Sequence, residues 1–255
     1  KSKLMSYFKK LKEITIKEFF DDDSIINLKN EVVDGNILIL RSAFNSENLR
    51  KIFINIKNSN IDTTKDTRML EGIKNIHYRS DSTGAGSYSA KDLSWYFFPW
   101  NKDATGLSDL IEPFFNQIIK MNGYNTKTIK NNTPKDIVIQ RIQIIYYPIG
   151  SGNISLHQDP TNITKVTCGI YITENGLDYN KGGFYVYDMN KKKINIDENI
   201  KSGDLILFYN GLFHGVDIVS KNKNNNSKIN GRGFINLSLL ESHESKNRKT
   251  TKGIR

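Results

Sequence analysis

The stretch Leu156-His157-Gln158-Asp159-Pro160 contains the pattern on which both the fold and the candidate site depend. Side chains alternate between the two faces of an extended strand, so His157 and Asp159 leave the backbone on the same face. A histidine and an aspartate at this spacing also occur in ordinary turns, where the two side chains pair with each other. The pattern therefore needs further partners in the chain before it indicates a site.

A second histidine and an arginine supply those partners. His214 lies at the end of one apolar segment, and Arg232 opens another. Two imidazoles and one carboxylate on one face of an octahedron form the facial triad that binds non-haem Fe(II) and leaves other positions open. Taken alone, His214 is explained equally well as a core histidine with satisfied hydrogen bonds. Taken with His157 and Asp159, it predicts a metal site.

The second half of the chain has the pattern of a β core. Short β-branched and aromatic runs alternate with turn-forming residues, which is typical of a sandwich or barrel. We predict an α+β fold with a mainly β core, a double-stranded β-helix of the cupin or jelly-roll type backed by N-terminal helices. Metal ligands at the rims of adjacent strands would converge at the mouth of such a barrel. The predicted strands are Ile137–Ile139, Ile142–Tyr147, Lys165–Thr173, Gly183–Asp188, Lys193–Ile196, Asp204–Tyr209, Gly215–Val219 and Phe234–Leu240.

Residues 1–130 are predicted to be mostly helical, with one or two strands. Leu4, Phe8 and Leu11 fall on one helical face and predict a short first helix. The apolar run Ile37–Leu40 predicts a buried strand. Two longer apolar stripes predict amphipathic helices that pack on the sheet. The first begins at the N-cap Asn45 with Leu49, Ile52, Phe53 and Ile56, and the second runs from Leu107 to Ile119 and stops at Gly123.

Composition and charge limit the class of protein. Hydrophobic residues make up 37% and charged residues 25% of the 255 positions, as in a soluble globular protein. We expect one domain over residues 1–255, with the core at 136–241 and a basic tail at 242–255. The net charge of +10 is most simply a solvated cationic surface; the alternative is an anionic substrate or partner.

The chain has no run of 18 apolar residues and no apolar signal-peptide core at its N-terminus, so no membrane partner is expected. A single cysteine, Cys168, excludes an internal disulfide and fits a reducing compartment. The expected location is therefore cytoplasmic.

The segment Tyr147–Asp159 resembles the metal-binding strand of the 2-oxoglutarate/Fe(II) oxygenases, in particular their prolyl-hydroxylase-like branch. Val166–Tyr171 resembles the second core strand of that branch. Gly182–Tyr187 is similar to its Gly-Gly strand, and Lys201–Phe208 to the Gly-Asp strand before the distal histidine. The resemblance covers about residues 142–240 and does not extend to residues 1–130.

The resemblance implies an enzyme that uses Fe(II), 2-oxoglutarate as cosubstrate and O2. The metal ligands would be His157, Asp159 and His214. Arg232 would bind the distal carboxylate of 2-oxoglutarate, Tyr171 would donate to the same carboxylate, and Tyr147 would line the cosubstrate pocket. The alternative for each tyrosine is a core aromatic with a satisfied hydroxyl group. Arg232 follows the distal histidine later than is usual, because Ser220–Gly231 is inserted between them.

Asp159 indicates the type of reaction, and segments outside the barrel offer candidate contacts to the substrate. Halogenating relatives replace the carboxylate ligand with a small residue, so Asp159 favours hydroxylation or another oxidative outcome. His77 and Arg79 are candidate contacts to an anionic substrate, and Trp95 to Trp100 form a candidate lid. The alternative for this aromatic cluster is ordinary core packing.

The favoured reaction is hydroxylation of an unactivated C–H of a small metabolite such as an amino acid, a sugar or a natural-product intermediate, with release of succinate and CO2. A peptidyl or protein side chain is the alternative substrate. A third interpretation is a non-catalytic cupin-type protein that binds a metal such as zinc. No ordered basic-aromatic pattern points to a nucleic acid.

Overall fold

The computed structural model describes residues 7–59, 75–83, 89–101, 103–130, 133, 135–221, 227–242, 245–246 and 252–253. Of these, residues 75–83, 89, 130 and 252–253 are described by their backbone alone. The α-helices within these described residues are α1 Ile16–Phe20, α2 Ile25–Val33, α3 Ser46–Asn58, α4 Leu107–Met121 and α5 Thr126–Lys130. The strands are β1 Leu11–Ile14, β2 Ile37–Leu40, β3 Asn75–Thr83, β4 Ser89–Phe97, β5 Val138–Pro148, β6 Asn153–Gln158, β7 Val166–Tyr171, β8 Lys181–Tyr187, β9 Lys193–Asn195, β10 Leu205–Tyr209, β11 His214–Ser220, β12 Gly231–Glu241 and β13 Lys252–Gly253.

The strands form one continuous hydrogen-bonded path in the order β1-β2-β10-β7-β12-β5-β4-β6-β11-β8-β9, with β3 beside β4 and β13 beside β6. Strand β4 joins two layers, because Leu93–Phe97 pairs with β5 whereas Ala90 and Lys91 pair with β6. The two layers then face each other. The Phe208 ring of one layer lies 5.3 Å from the Phe184 ring of the other. This arrangement is a double-stranded β-helix, as the sequence predicts.

The helices cover the outer face of the larger layer. Helix α3 begins at Asn45, whose side chain accepts from the Asn48 backbone N–H, a typical N-cap. Its Phe53 ring lies 5.9 Å from Trp95 and 5.7 Å from Tyr146. A buried ion pair adds to this apolar contact, since Nη1 and Nη2 of Arg50 bind the two carboxylate oxygens of Asp178 at 2.6 and 2.7 Å. Helix α3 is therefore held both by packing on the sheet and by an ion pair with the connection between β7 and β8.

Most predicted elements of the core are confirmed. The strand at Ile37–Leu40, the N-cap at Asn45 and the helix that ends before Gly123 are all present. The two strands predicted on either side of residue 140 are one strand, β5. Among the described residues, no helix is long and apolar enough to cross a membrane.

The predicted first helix is wrong where the structure describes it. Leu4 lies outside the described residues, and Leu11–Ile14 form β1, which pairs in parallel with β2. The chain here completes the edge of the sheet, and those backbone hydrogen bonds override a weak helical spacing. Helix formation begins only at Thr15, whose side chain and Glu18 form a capping box.

Candidate metal centre

The ends of β6 and β11 bring the three predicted ligands together. His157 and His214 are register partners in this antiparallel pair. Asp159 follows the end of β6, where its backbone N–H donates to the Asn210 carbonyl at 3.0 Å. The Asn210 side chain in turn donates to the Pro160 carbonyl at 3.1 Å and accepts from the Thr167 hydroxyl group. Asn210 therefore fixes the segment that carries Asp159.

The ligand atoms converge on one point. Nε2 of His157 lies 3.9 Å and Nε2 of His214 lies 3.7 Å from the carboxylate oxygens of Asp159. The two imidazole rings are 4.2 Å apart, and one ligand atom from each residue lies within 4.8 Å of the others. Both histidines are buried, whereas 28% of the Asp159 side chain is exposed. The site is thus closed behind the imidazoles and open beside the carboxylate.

The two imidazoles are oriented for metal binding. Nδ1 of His157 lies 2.7 Å from the Ser155 carbonyl oxygen, and Nδ1 of His214 lies 2.9 Å from the Leu212 carbonyl oxygen. A carbonyl oxygen only accepts, so each Nδ1 carries a proton, and Nε2 is then the nitrogen whose lone pair a metal would bind. Two neutral imidazoles and a carboxylate on one side are the donor set of a non-haem Fe(II) centre.

Phenyl rings form an apolar wall behind His214. The Phe184 ring lies 5.9 Å and the Phe208 ring 5.7 Å from its imidazole. Both phenylalanines are buried. This wall keeps water away from the inner side of the site and strengthens electrostatic interactions within it.

Arg232 lies inside the barrel at the start of β12, with 1% of its surface exposed. Its Nε and Nη2 donate to the two carboxylate oxygens of Asp197 at 2.6 and 3.1 Å. Its guanidinium carbon lies 5.5 Å from the Tyr147 ring, and Tyr147 is its register partner on β5. Burial, the largest single influence, lowers the pKa of Arg232, but the charge and hydrogen bonds of Asp197 together with Tyr171 and Tyr179 outweigh it, and the pKa lies well above its usual range.

The Tyr171 ring lies 5.2 Å from the guanidinium carbon of Arg232, and its hydroxyl group has a partner within the protein. It donates to Oδ1 of Asp197 at 2.7 Å. Burial, followed by the charge of Asp197, raises the pKa of Tyr171 well above its usual range, so the hydroxyl group keeps its proton. In this structure that proton is directed at a protein carboxylate.

Sequence reasoning missed Asp197. It begins a short 3-10 helix, Asp197–Asn199, in a polar connection between β9 and β10. An acidic residue in such a connection is ordinarily exposed, and no periodicity distinguishes this one from its neighbours. Only the fold shows that it lies beneath Arg232.

Of the four predicted substrate residues, the structure describes the side chains of Trp95 and Trp100 only. His77 and Arg79 pair through their backbones with Ser94 and Asp92, and their side chains lie outside the description. Trp95 belongs to the core beside α3. Trp100 stacks on Phe98 with ring centroids 4.7 Å apart. Core packing, the alternative interpretation of this aromatic cluster, therefore describes both tryptophans.

The basic tail contributes a strand that the sequence does not reveal. Lys252 and Gly253 form β13, which pairs with Gln158 and His157 at the end of β6. The metal-binding strand thus accepts a further extended segment along its edge, next to the candidate site.

Solved structures share this fold. A 2OG-Fe(II) oxygenase family oxidoreductase from Burkholderia pseudomallei superposes with a TM-score of 0.51 at 13% identity, covering 95% of this chain and 100% of that one. A Trichoplax adhaerens prolyl hydroxylase, in complex with a hypoxia inducible factor peptide fragment, superposes with a TM-score of 0.50 at 16% identity, covering 87% and 93%. No protein-family model and no curated protein matches the sequence.

The fold and the site together define the structural class. The chain has the double-stranded β-helix fold of the 2-oxoglutarate/Fe(II) oxygenases, with a His–Asp–His cluster at the mouth of the barrel. Within that class its architecture is similar to the prolyl hydroxylases, in agreement with the sequence resemblance.

Proposed function

We propose that this protein is an Fe(II)- and 2-oxoglutarate-dependent dioxygenase that hydroxylates a C–H bond of a small molecule. The observation that supports it is the convergence of His157, Asp159 and His214, with one ligand atom from each within 4.8 Å of the others. The direction of both imidazoles, set by backbone carbonyls, gives the metal a preformed site. Arg232 offers N–H donors, beyond those bound to Asp197, to the distal carboxylate of a 2-oxo diacid.

When bound, Fe(II) and 2-oxoglutarate supply the activation of O2, with 2-oxoglutarate leaving as succinate and CO2. The residues of the chain provide the geometry. His157 and His214 hold their Nε2 atoms toward the metal position, and Asp159 supplies the charged ligand at the open side. Arg232 and Tyr147 border the cosubstrate position inside the barrel. Because Asp159 is a carboxylate, the proposed outcome is hydroxylation.

The interior of the barrel favours a small polar substrate. Gln143 donates to the Ser94 and Tyr96 hydroxyl groups at 3.0 and 3.1 Å, and Ser94 donates to Asp92 at 2.6 Å. Asn236, the register partner of Gln143, lies on the same face of β12 as Arg232. Its Oδ1 is buried without a hydrogen-bond partner among the described residues. Buried polar groups of this kind match a ligand with several hydrogen-bonding groups.

A peptidyl substrate is the second candidate, and β13 favours it. The edge of β6 at His157 and Gln158 accepts an extended segment, which is how many proteins bind peptides by strand addition. The Trichoplax neighbour is itself described in complex with a peptide fragment. If a peptide uses this edge, deletion of residues 247–255 should lower the KM for active peptides and leave the KM for small substrates unchanged.

Succinate release tests the proposed function. The protein is loaded anaerobically with Fe(II) and then given O2, 2-oxoglutarate and panels of amino acids, sugars and peptides. We expect succinate release that depends on one class of substrate and is abolished by His157→Ala. Asp217→Asn, at a half-exposed carboxylate on β11 that pairs with Lys193 at the surface, is the matched control and should retain activity. Full turnover by His157→Ala would contradict the proposal, and a zinc-loaded protein indifferent to O2 would favour the cupin-type binding protein.

A further inference from the structure

Among the described residues, the hydrogen bonds of the Arg232 guanidinium group lie along one of its edges. Asp197 binds Nε and Nη2, the side edge of the guanidinium group. Arginine carries five N–H donors in a planar fork, so Nη1 and the outer proton of Nη2 remain. The described residues place no acceptor on Nη1. The end edge of the guanidinium group, formed by Nη1 and Nη2, therefore remains suited to a second carboxylate.

Asp197 itself is held too firmly to leave easily. Besides Arg232, its carboxylate accepts from the Tyr171 and Tyr179 hydroxyl groups at 2.7 and 2.6 Å and from the Phe184 backbone N–H at 3.0 Å. All of these donors are buried, so expelling Asp197 would leave them unsatisfied.

The chain also makes room for this carboxylate. Gly183 on β8 has φ +97°, and a Cβ atom there would lie 2.0 Å from Oδ2 of Asp197. Any residue with a Cβ atom at position 183 would therefore clash with the Asp197 carboxylate in its observed position. Gly183 is thus part of the Asp197 site, and the buried position of Asp197 is encoded by more than one element.

We propose that Asp197 is the positioning and charge-setting residue of the cosubstrate site, an inference that rests on the proposed function. Asp197 stays bound to the side edge of Arg232 and directs the end edge toward the distal group of a 2-oxo acid. Tyr171 acts through Asp197, because its single hydroxyl proton is donated to that carboxylate. The distal carboxylate of 2-oxoglutarate adds to the Arg232–Asp197 pair and does not replace Asp197.

This arrangement predicts an unusual preference among cosubstrates. Arg232 and Asp197 together carry no net charge, so the site attracts a distal carboxylate less strongly than an unpaired arginine would. A distal methyl ketone, which offers a carbonyl acceptor of the same shape without a charge, should therefore bind nearly as well as the carboxylate. Removal of the Asp197 charge should restore the preference for the anion.

The test compares two ligands of similar shape. Dissociation constants of 2-oxoglutarate and of 2,5-dioxohexanoate, in which a methyl group replaces one oxygen of the distal carboxylate, are measured anaerobically on the Fe(II)-loaded protein by calorimetry. In Asp197→Asn the preference for 2-oxoglutarate over the methyl ketone should rise about tenfold, the effect expected from one unscreened charge-assisted contact. Glu198→Gln, at the exposed neighbouring position of the same 3-10 helix, should leave the preference unchanged.

If Asp197 had a purely structural role, Asp197→Asn would weaken the binding of both ligands by the same factor. An unchanged preference between the two ligands in Asp197→Asn would therefore overturn the inference. If that variant does not fold, Asp197→Asn/Arg232→Gln removes both charges together, which buried pairs tolerate better than the loss of one. In the double variant, which like the wild-type pair carries no net charge, the preference should stay within a few fold of that of the wild type. A preference that falls about tenfold or more in the double variant would overturn the inference, because Arg232 would then act on the distal group as a charge that Asp197 does not neutralise.

Failure of the proposed function has a different signature. It would appear as a wild-type protein whose binding of both 2-oxo acids is absent or is unaffected by His157→Ala. In the outcomes that concern Asp197, by contrast, wild-type binding depends on the metal and only the ratio of the two ligands is in question.

Discussion

His157 and His214 face each other across β6 and β11, and each is anchored by the backbone carbonyl two residues before it. The carbonyl of Ser155 receives one Nδ1 proton and that of Leu212 receives the other. Because both anchors are main-chain atoms of the strands or of their immediate approach, the imidazoles do not depend on a mobile side chain for their direction. The metal site is therefore organised by the fold itself.

Loss of one imidazole should remove metal-dependent stabilisation. A ligand at a hundred times its dissociation constant stabilises the folded state by about 2.7 kcal/mol. We expect anaerobic Fe(II) to raise the melting temperature of the wild type and to leave that of His214→Ala unchanged. Differential scanning fluorimetry measures this, with Asp217→Asn as the control that keeps the full shift. A metal-induced shift of wild-type size in His214→Ala would contradict the assignment of His214 as a ligand.

The ion pair between Arg50 and Asp178 should matter more than the pairs at the surface. Asp178 is fully buried, and it also accepts from the Ser227 hydroxyl group. Replacement of Arg50 by Met leaves a buried carboxylate without its main partner, which typically costs about 3–5 kcal/mol. Urea unfolding should show this loss. Lys193→Met, at an exposed pair with Asp217, should cost no more than about 1 kcal/mol.

The sequence predicts those features that depend on local pattern. The side chains of His157 and Asp159 share a face because strands alternate, and Asn45 begins α3 because its side chain caps the helix. The same local reasoning fails at Leu11, where a helical spacing is present but the chain completes the edge of the sheet beside Ile37. Strand pairing between distant segments decides that case.

The same distinction between local pattern and distant contacts holds for the candidate site. The metal ligands were predicted because each lies at a strand end with a recognisable pattern. Asp197 was not, because its importance arises only when the connection after β9 comes beneath Arg232 in the closed barrel. Trp95 shows a different limit of sequence reasoning. An aromatic cluster in the sequence suits either a lid or a core, and only the packing of Trp95 against Phe53 decides between the two.

That packing gives a direct prediction for Trp95. The side chain is buried between the sheet and α3, so Trp95→Ala should lower the free energy of unfolding by about 3–5 kcal/mol. Because the ring faces α3, the KM for an active substrate should change little in the folded variant. Trp95→Phe should recover part of the stability. A large rise in KM at unchanged stability would instead place Trp95 at the substrate, as the lid interpretation requires.

Tyr146 should make the fold sensitive to alkaline pH. Its hydroxyl group lies 2.9 Å from the Ile229 carbonyl and 2.8 Å from the Asn230 carbonyl, and it accepts from Nζ of Lys57 at 3.0 Å. Burial raises the pKa of Tyr146 from 10.0 to about 12. Between these two values the folded state keeps a proton that the unfolded state has lost. The contribution of Tyr146 to stability is therefore complete below about pH 10 and decreases as the pH rises toward 12.

Tyr146→Phe separates this contribution from the rest of the protein. Near neutral pH the variant should be less stable by about 1 kcal/mol, because it lacks the hydroxyl hydrogen bonds. As the pH rises above 10, the wild type should lose its advantage, with a slope of at most about 1.4 kcal/mol per pH unit for one proton. Lys57 is present in both proteins, so its own titration affects the difference only through its contact with the hydroxyl group. Urea unfolding from pH 8 to 11.5 measures the effect, and a constant difference across that range would show that Tyr146 does not titrate as its burial requires.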